Sequence, residues 1–161
     1  MTLHQTLVQP APSSPLLVLD TNVVLDWIAF DDARVRPIVA AIEHKAVCLV
    51  SNEACLQELR RVLTYSQVKL EPAARAAALA RYVAHARMFV LAAATVAAGV
   101  PRCEDPDDQK FLDLAWHAHA THLVTRDNAL LKLARRLVEL RGFAVLAPDA
   151  FMQWMSGPEH S

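Results

Sequence analysis

The sequence predicts an α/β fold: one domain whose parallel sheet of four to five strands is covered by helices on both faces. Three observations carry this. Short, largely apolar runs at 16–19, 47–50, 122–125 and 143–146 recur along the chain. Each is too short for a helix, and the first is apolar on both sides, as a strand buried from both faces is. Between them lie longer stretches with apolar residues at helical spacing, the pattern of right-handed crossovers. The length of 161 residues suits one domain, and 54% hydrophobic against 20% charged residues excludes intrinsic disorder.

The elements follow in order. Residues 1–15 hold three prolines and two serines without period and read as a flexible lead-in. Residues 16–155 form the domain, and 156–161 a flexible tail. The first strand, 16–19, closes on Asp20. Thr21 and Asn22 offer caps for a helix to about 30. A helix over 34–45 carries Val35, Ile38, Val39 and Ile42 on one face. After the strand at 47–50, Ser51 and Asn52 cap a helix to about 65. Pro72 suits the first turn of a long alanine-rich helix to about 89. Residues 90–102 receive no assignment. Asp107 and Asp108 open a helix to about 120, which feeds the strand at 122–125. A helix over 128–140 stops at Gly142. The strand at 143–146 and a helix opened by Pro148 complete the domain.

Composition excludes several classes. A net charge of −1 is no generic nucleic-acid coat, and three glycines leave no room for a glycine-rich phosphate loop. Cys48, Cys55 and Cys103 form no CxxC pair and read as buried thiols in a reducing cytosol. The apolar run at 88–100 falls short of the ~20 residues that span a bilayer. No secretory signal precedes the domain. His117 and His119 point ~160° apart on a helix, which disfavours a histidine zinc site with His122. Trp27, Trp116 and Trp154 are widely spaced core or interface aromatics, and no aromatic platform for stacking RNA bases stands out.

Four carboxylates carry the chemistry. Asp20 and Asp127 follow parallel strands, so they share one edge of the sheet, where ligands of such sheets bind. As caps they would also be ordinary. Asp108 heads a stripe with Phe111, Leu112, Ala115 and His119, which turns it inward; Asp107 lies off that stripe and is the better cap. Glu58 sits at the edge of the apolar stripe of Cys55, Leu59, Val62 and Leu63, not opposite it. No lysine of these motifs is expected to pair with the acids. Four carboxylates in one depression repel each other and call for a counter-charge. All-oxygen ligation points to Mg²⁺ or Mn²⁺, which in few-ligand sites work on phosphate oxygens.

VLDTN at 18–22, CLQELRRVL at 55–63, DPDDQKFLDLA at 105–115 and HLVTRDNALL at 122–131 together resemble the PIN-domain nucleases. They are most similar to the bacterial toxins of toxin–antitoxin modules. The likeness runs from Leu17 to about Trp154. It implies a metal-dependent ribonuclease with Asp20, Glu58, Asp108 and Asp127 as metal ligands and reactive acids, the adjacent Asp107 being a rival to Asp108. It implies polar helpers at Asn22 and Thr125, with Ser51 a looser match, holding waters or orienting carboxylates. It also implies a homodimer and an antitoxin partner in the cytoplasm. RNA beside an acidic site needs flanking cations, for which Arg126, Lys132, Arg135 and Arg136 are candidates, with Arg60 and Arg61 further choices. The other readings are a silent binding module of the same fold and a housekeeping RNA-processing nuclease. A haloacid-dehalogenase-type phosphatase lacks its DxDxT motif here, and a dinucleotide crevice lacks GxGxxG.

Overall fold

The computed structural model describes residues 14–90 and 99–157. Among these, five strands form one parallel sheet in the order β3-β2-β1-β4-β5: β1 Leu16–Leu19, β2 Cys48–Ser51, β3 Ala86–Met88, β4 His122–Val124 and β5 Ala144–Leu146. The helices are α1 Thr21–Ile28, α2 Arg36–Glu43, α3 Glu53–Val62, α4 Pro72–His85, α5 Gln109–His117, α6 Asn128–Leu131, α7 Ala134–Arg141 and α8 Pro148–Met155.

Side chains alternate across the sheet, and each face has its own core. Leu17, Leu19, Leu49 and Val124 pack with Trp27, Ile38, Leu56, Tyr82 and Phe151. Val18, Val50, Leu123 and Val145 pack on the other face with Phe111, Leu112, Leu130 and Leu137. Both faces are therefore covered, as continuous apolar strands require.

Strand order places the site. The chain leaves β1 toward β2 and β3, then returns to add β4 and β5 on the opposite side. Neighbouring strands β1 and β4 thus mark the topological switch point, where a crevice opens beyond the carboxyl ends. Leu19 pairs with Val124 in register, so Asp20 and Thr125 emerge side by side.

Local signals mislead in four places. The long helix ends at His85, and Ala86, Arg87 and Met88 pair with Leu49, Val50 and Ser51 as an edge strand. Ala, Arg and Met are good helix formers; the open edge of β2 outweighs that preference. The helix over 128–140 divides into α6 and α7 at Lys132 and Leu133. The helix from 34 begins as a 3-10 turn, Ala33–Val35. The helix from 107 begins as a 3-10 turn, Pro106–Asp108. Gly142 ends α7 in the left-handed conformation at φ 75°, as its sequence position predicts. Residues 1–13, 91–98 and 158–161 lie outside the described residues, so the lead-in and most of the tail do too.

Candidate metal site and groove

Asp20 is 3% exposed and caps α1, so of the capping residues that the sequence offers, Asp20, Thr21 and Asn22, the first takes the role. Its Oδ1 accepts the Val23 N–H at 3.0 Å. Its Oδ2 accepts the hydroxyl of Thr125, which is fully buried. Burial raises the Asp20 pKa, with Asp127 adding to the rise; the Thr125 and Val23 bonds oppose it.

Asp127 caps α6 through Oδ1, which accepts the Ala129 N–H at 2.8 Å. Its own N–H donates to the Thr125 hydroxyl oxygen at 2.9 Å. Both strand-end aspartates are thus helix caps and members of one acidic group at the same time.

Asp105, Asp108 and Asp127 each bring a carboxylate oxygen within 4.8 Å of the other two. Asp108 Oδ2 is buried without a hydrogen-bond partner. Burial, then the adjoining Asp127 carboxylate, then Asp105 and Asp20 push the Asp108 carboxyl up to about 7. A buried, unpartnered oxygen among crowded carboxylates is the environment that a cation relieves. The donor set is hard oxygen, which fits Mg²⁺ or Mn²⁺. Among the described residues, no histidine or cysteine joins a comparable group. His122 instead packs on Phe151 and Trp154, with ring centroids 5.0 and 4.1 Å away.

Asp105 escaped the sequence reading. It caps the 3-10 turn by accepting the Asp107 N–H at 2.9 Å, the role assigned to Asp107. Asp107 itself is exposed. The available signal was spacing: Asp105 and Asp108 are three apart, one turn of 3-10 helix, so they share a side.

Glu58 reaches the same place from α3. A groove of about 390 Å³ is lined by Asp20, Asn22, Glu58, Arg61 and Asp108. The Glu58 carboxylate is already engaged, contrary to the expectation of no lysine partner. Lys110 Nζ lies 2.6 Å from its Oε1, and Thr21 donates its hydroxyl to Oε2. Ser51 is fully buried, within reach of the Asn52 carbonyl at 3.5 Å and hydrogen-bonded to Tyr82.

The candidate cations divide. Arg126 is paired with Asp26. Lys132 is exposed and 3.0 Å from Glu104. Arg135 and Arg136 are exposed on α7. Arg60 pairs with Glu53 at 3.3 Å, while Arg61 lines the groove. Two aromatics that the sequence did not single out, Phe30 and Tyr65, also line it and are 50% and 43% exposed. Burial raises the thiols of Cys48, Cys55 and Cys103, that of Cys55 to about 12, so none is an activated nucleophile. Cys48 is only half-buried.

A family model described as "PIN domain" matches residues 16–129. Seven chains of solved structures match. One belongs to VapBC2 from Rickettsia felis bound to a DNA fragment from their promoter. It superposes with a TM-score of 0.51 at 11% identity, covering 81% of this chain and 96% of that one. A search of curated proteins finds no match.

Proposed function

This chain belongs to the PIN-domain family, and on that premise we propose that it is a Mg²⁺- or Mn²⁺-dependent ribonuclease that hydrolyses RNA phosphodiester bonds, the toxin of a toxin–antitoxin module. The observation that carries the reading is the unpartnered Asp108 oxygen within 4.8 Å of carboxylate oxygens of Asp105 and Asp127.

Asp105, Asp108 and Asp127 would hold the cation, with Asp20 beside them at the end of β1. When bound, the ion supplies Lewis acidity toward a phosphoryl oxygen and toward water. The chain's own residues do the rest. Thr125 holds Asp20 by its hydroxyl and Asp127 by its backbone, so both acids keep one orientation. Asn22 is exposed at the groove, placed to orient water or the RNA strand. Arg61 offers a guanidinium to a backbone phosphate, and Arg135 and Arg136 extend the positive surface on α7. With every cysteine held as a thiol, water is the natural nucleophile; its attack at phosphorus with the P–O3′ bond breaking, the 3′ oxygen leaving and taking up a proton, would give 5′-phosphate and 3′-hydroxyl ends.

The fold shared with the VapBC2 chain supports the toxin reading and an antitoxin as partner. A homodimer and a cytoplasmic site belong to the same reading. Among the described residues no helix is long and apolar enough to cross a membrane. The test is cleavage of labelled RNA with and without Mn²⁺, set against hydrolysis of a generic phosphate ester. Cation-dependent RNA cleavage that Asp108→Asn removes is the expected result. Ester hydrolysis without RNA cleavage would overturn the reading in favour of a general phosphohydrolase.

A further inference from the structure

The inference rests on reading the acidic cluster as a cation site and assigns a role to Glu58, which stands apart from it. Glu58 is 11% exposed, and both of its oxygens are engaged. Oε1 faces the Lys110 ammonium at 2.6 Å, and Oε2 accepts the Thr21 hydroxyl. Arg61 stands 3.8 Å from the same Oε1. The Lys110 side chain is itself only 23% exposed, and its ammonium also donates to the carbonyl of Asp107. That carbonyl belongs to the peptide unit that carries Asp108. One ammonium therefore ties the α3 acid to the turn that presents the unpartnered Asp108 oxygen.

We propose that Lys110 is the built-in counter-charge of Glu58, that Glu58 is thereby held as an ion-pair partner and not a cation ligand, and that the cluster takes a single divalent ion on Asp105, Asp108 and Asp127. A hydrogen bond alone does not bar a carboxylate from ligation, because each oxygen has two lone pairs. A fixed ammonium opposes it. It cancels the charge that would attract a dication, and it repels that dication at close range. Asp20 differs in this respect, since its two oxygens accept from a hydroxyl and a backbone N–H, and Arg126 acts on it only through space. Asp108 differs more, with no partner at all on Oδ2. The sheltered pair also explains why Glu58 lies on the edge of an apolar stripe: its charge is met inside the protein, where α3 packs on α5.

The decisive variant is Glu58→Gln combined with Lys110→Met, which removes the pair without changing net charge. Calorimetric titration with Mn²⁺ should give one ion per chain for the wild type and for this double variant, at similar affinity. Weakening of about tenfold or more, the scale of losing a group that supports a metal site, would overturn the proposal, as would two ions in the wild type. Lys110→Met alone bares Glu58 and should raise the stoichiometry above one, while Lys110→Arg keeps it at one. An unchanged stoichiometry in a folded Lys110→Met protein would overturn the counter-charge role. Failure of the underlying cation reading is told apart by Asp108→Asn: if neither it nor the wild type takes up Mn²⁺, the cluster itself is no cation site, and this proposal falls with it.

Discussion

Thr125 and Asp20 are joined across the switch point of the sheet: the buried Thr125 hydroxyl donates to Asp20 Oδ2 while its oxygen accepts the Asp127 N–H at 2.9 Å. One hydroxyl thus sets the spacing between two acids on different strands. Thr125→Val keeps the shape and removes both bonds. It should destabilise the fold by about 1–3 kcal/mol, the cost of leaving buried polar groups unsatisfied. Mn²⁺ affinity should fall by about 10–100-fold, and Thr125→Ser should restore both. Thermal unfolding and Mn²⁺ titration of the two variants check this; wild-type affinity in Thr125→Val would show that the acids hold their places unaided.

Asp20→Asn should abolish RNA cleavage and leave the fold intact or slightly more stable. Asn caps a helix about as well as Asp, so the Val23 bond survives. The change removes a charge that burial and Asp127 both disfavour. Cleavage assays beside thermal melts decide it. Full activity in Asp20→Asn would leave Asp20 as a cap alone.

The three neighbouring aspartates should separate. Asp107→Asn should be nearly harmless, because Asp107 is exposed and outside the cluster. Asp105→Asn and Asp108→Asn should each reduce cleavage, with Asp108→Asn as damaging as Asp20→Asn. Metal-dependent cleavage by the three purified proteins is the measurement. Loss at Asp107 with survival at Asp108 would reverse the assignment.

Stability of the metal-free protein should fall as pH rises from the ordinary Asp pKa of 3.8 through about 7. In that window folded Asp108 keeps a proton that the unfolded chain has released, so the folded state binds more protons and each rise in pH favours unfolding. Asp20, also raised, acts in the same direction. Millimolar Mg²⁺ or Mn²⁺ should offset the loss at pH 8 and matter little at pH 5, because a cation favours the ionised acids. Melting temperatures at the two pH values, with and without the ion, test this. Melts insensitive to either ion at pH 8 would count against the site.

Self-association should be measurable as well. Val83 on α4 and Val138 and Leu140 on α7 are 41%, 52% and 50% exposed. A homodimer is the expected species by light scattering at micromolar concentration, and a monodisperse monomer would remove that part of the reading.

Much of this protein is set by local sequence. Leu16–Leu19 is apolar on both faces and His122–Val124 largely apolar, the pattern of central strands, which puts Asp20 and Asp127 at one edge. Phe111, Leu112 and Ala115 are buried as their helical periodicity predicts, and Asp108 stands just ahead of them in the 3-10 turn. Long-range pairing decided the rest. Ala86–Met88 is a strand only because β2 offers an open edge, a fact absent from three helix-forming residues. Asp105 joins the cluster because a 3-10 turn, not an α-helical one, begins the segment. Lys110 meets Glu58 across 52 residues of sequence. Periodicity places each of these residues on a face of its own element, but charge partners across such distances are chosen by how helices pack, which no local pattern encodes.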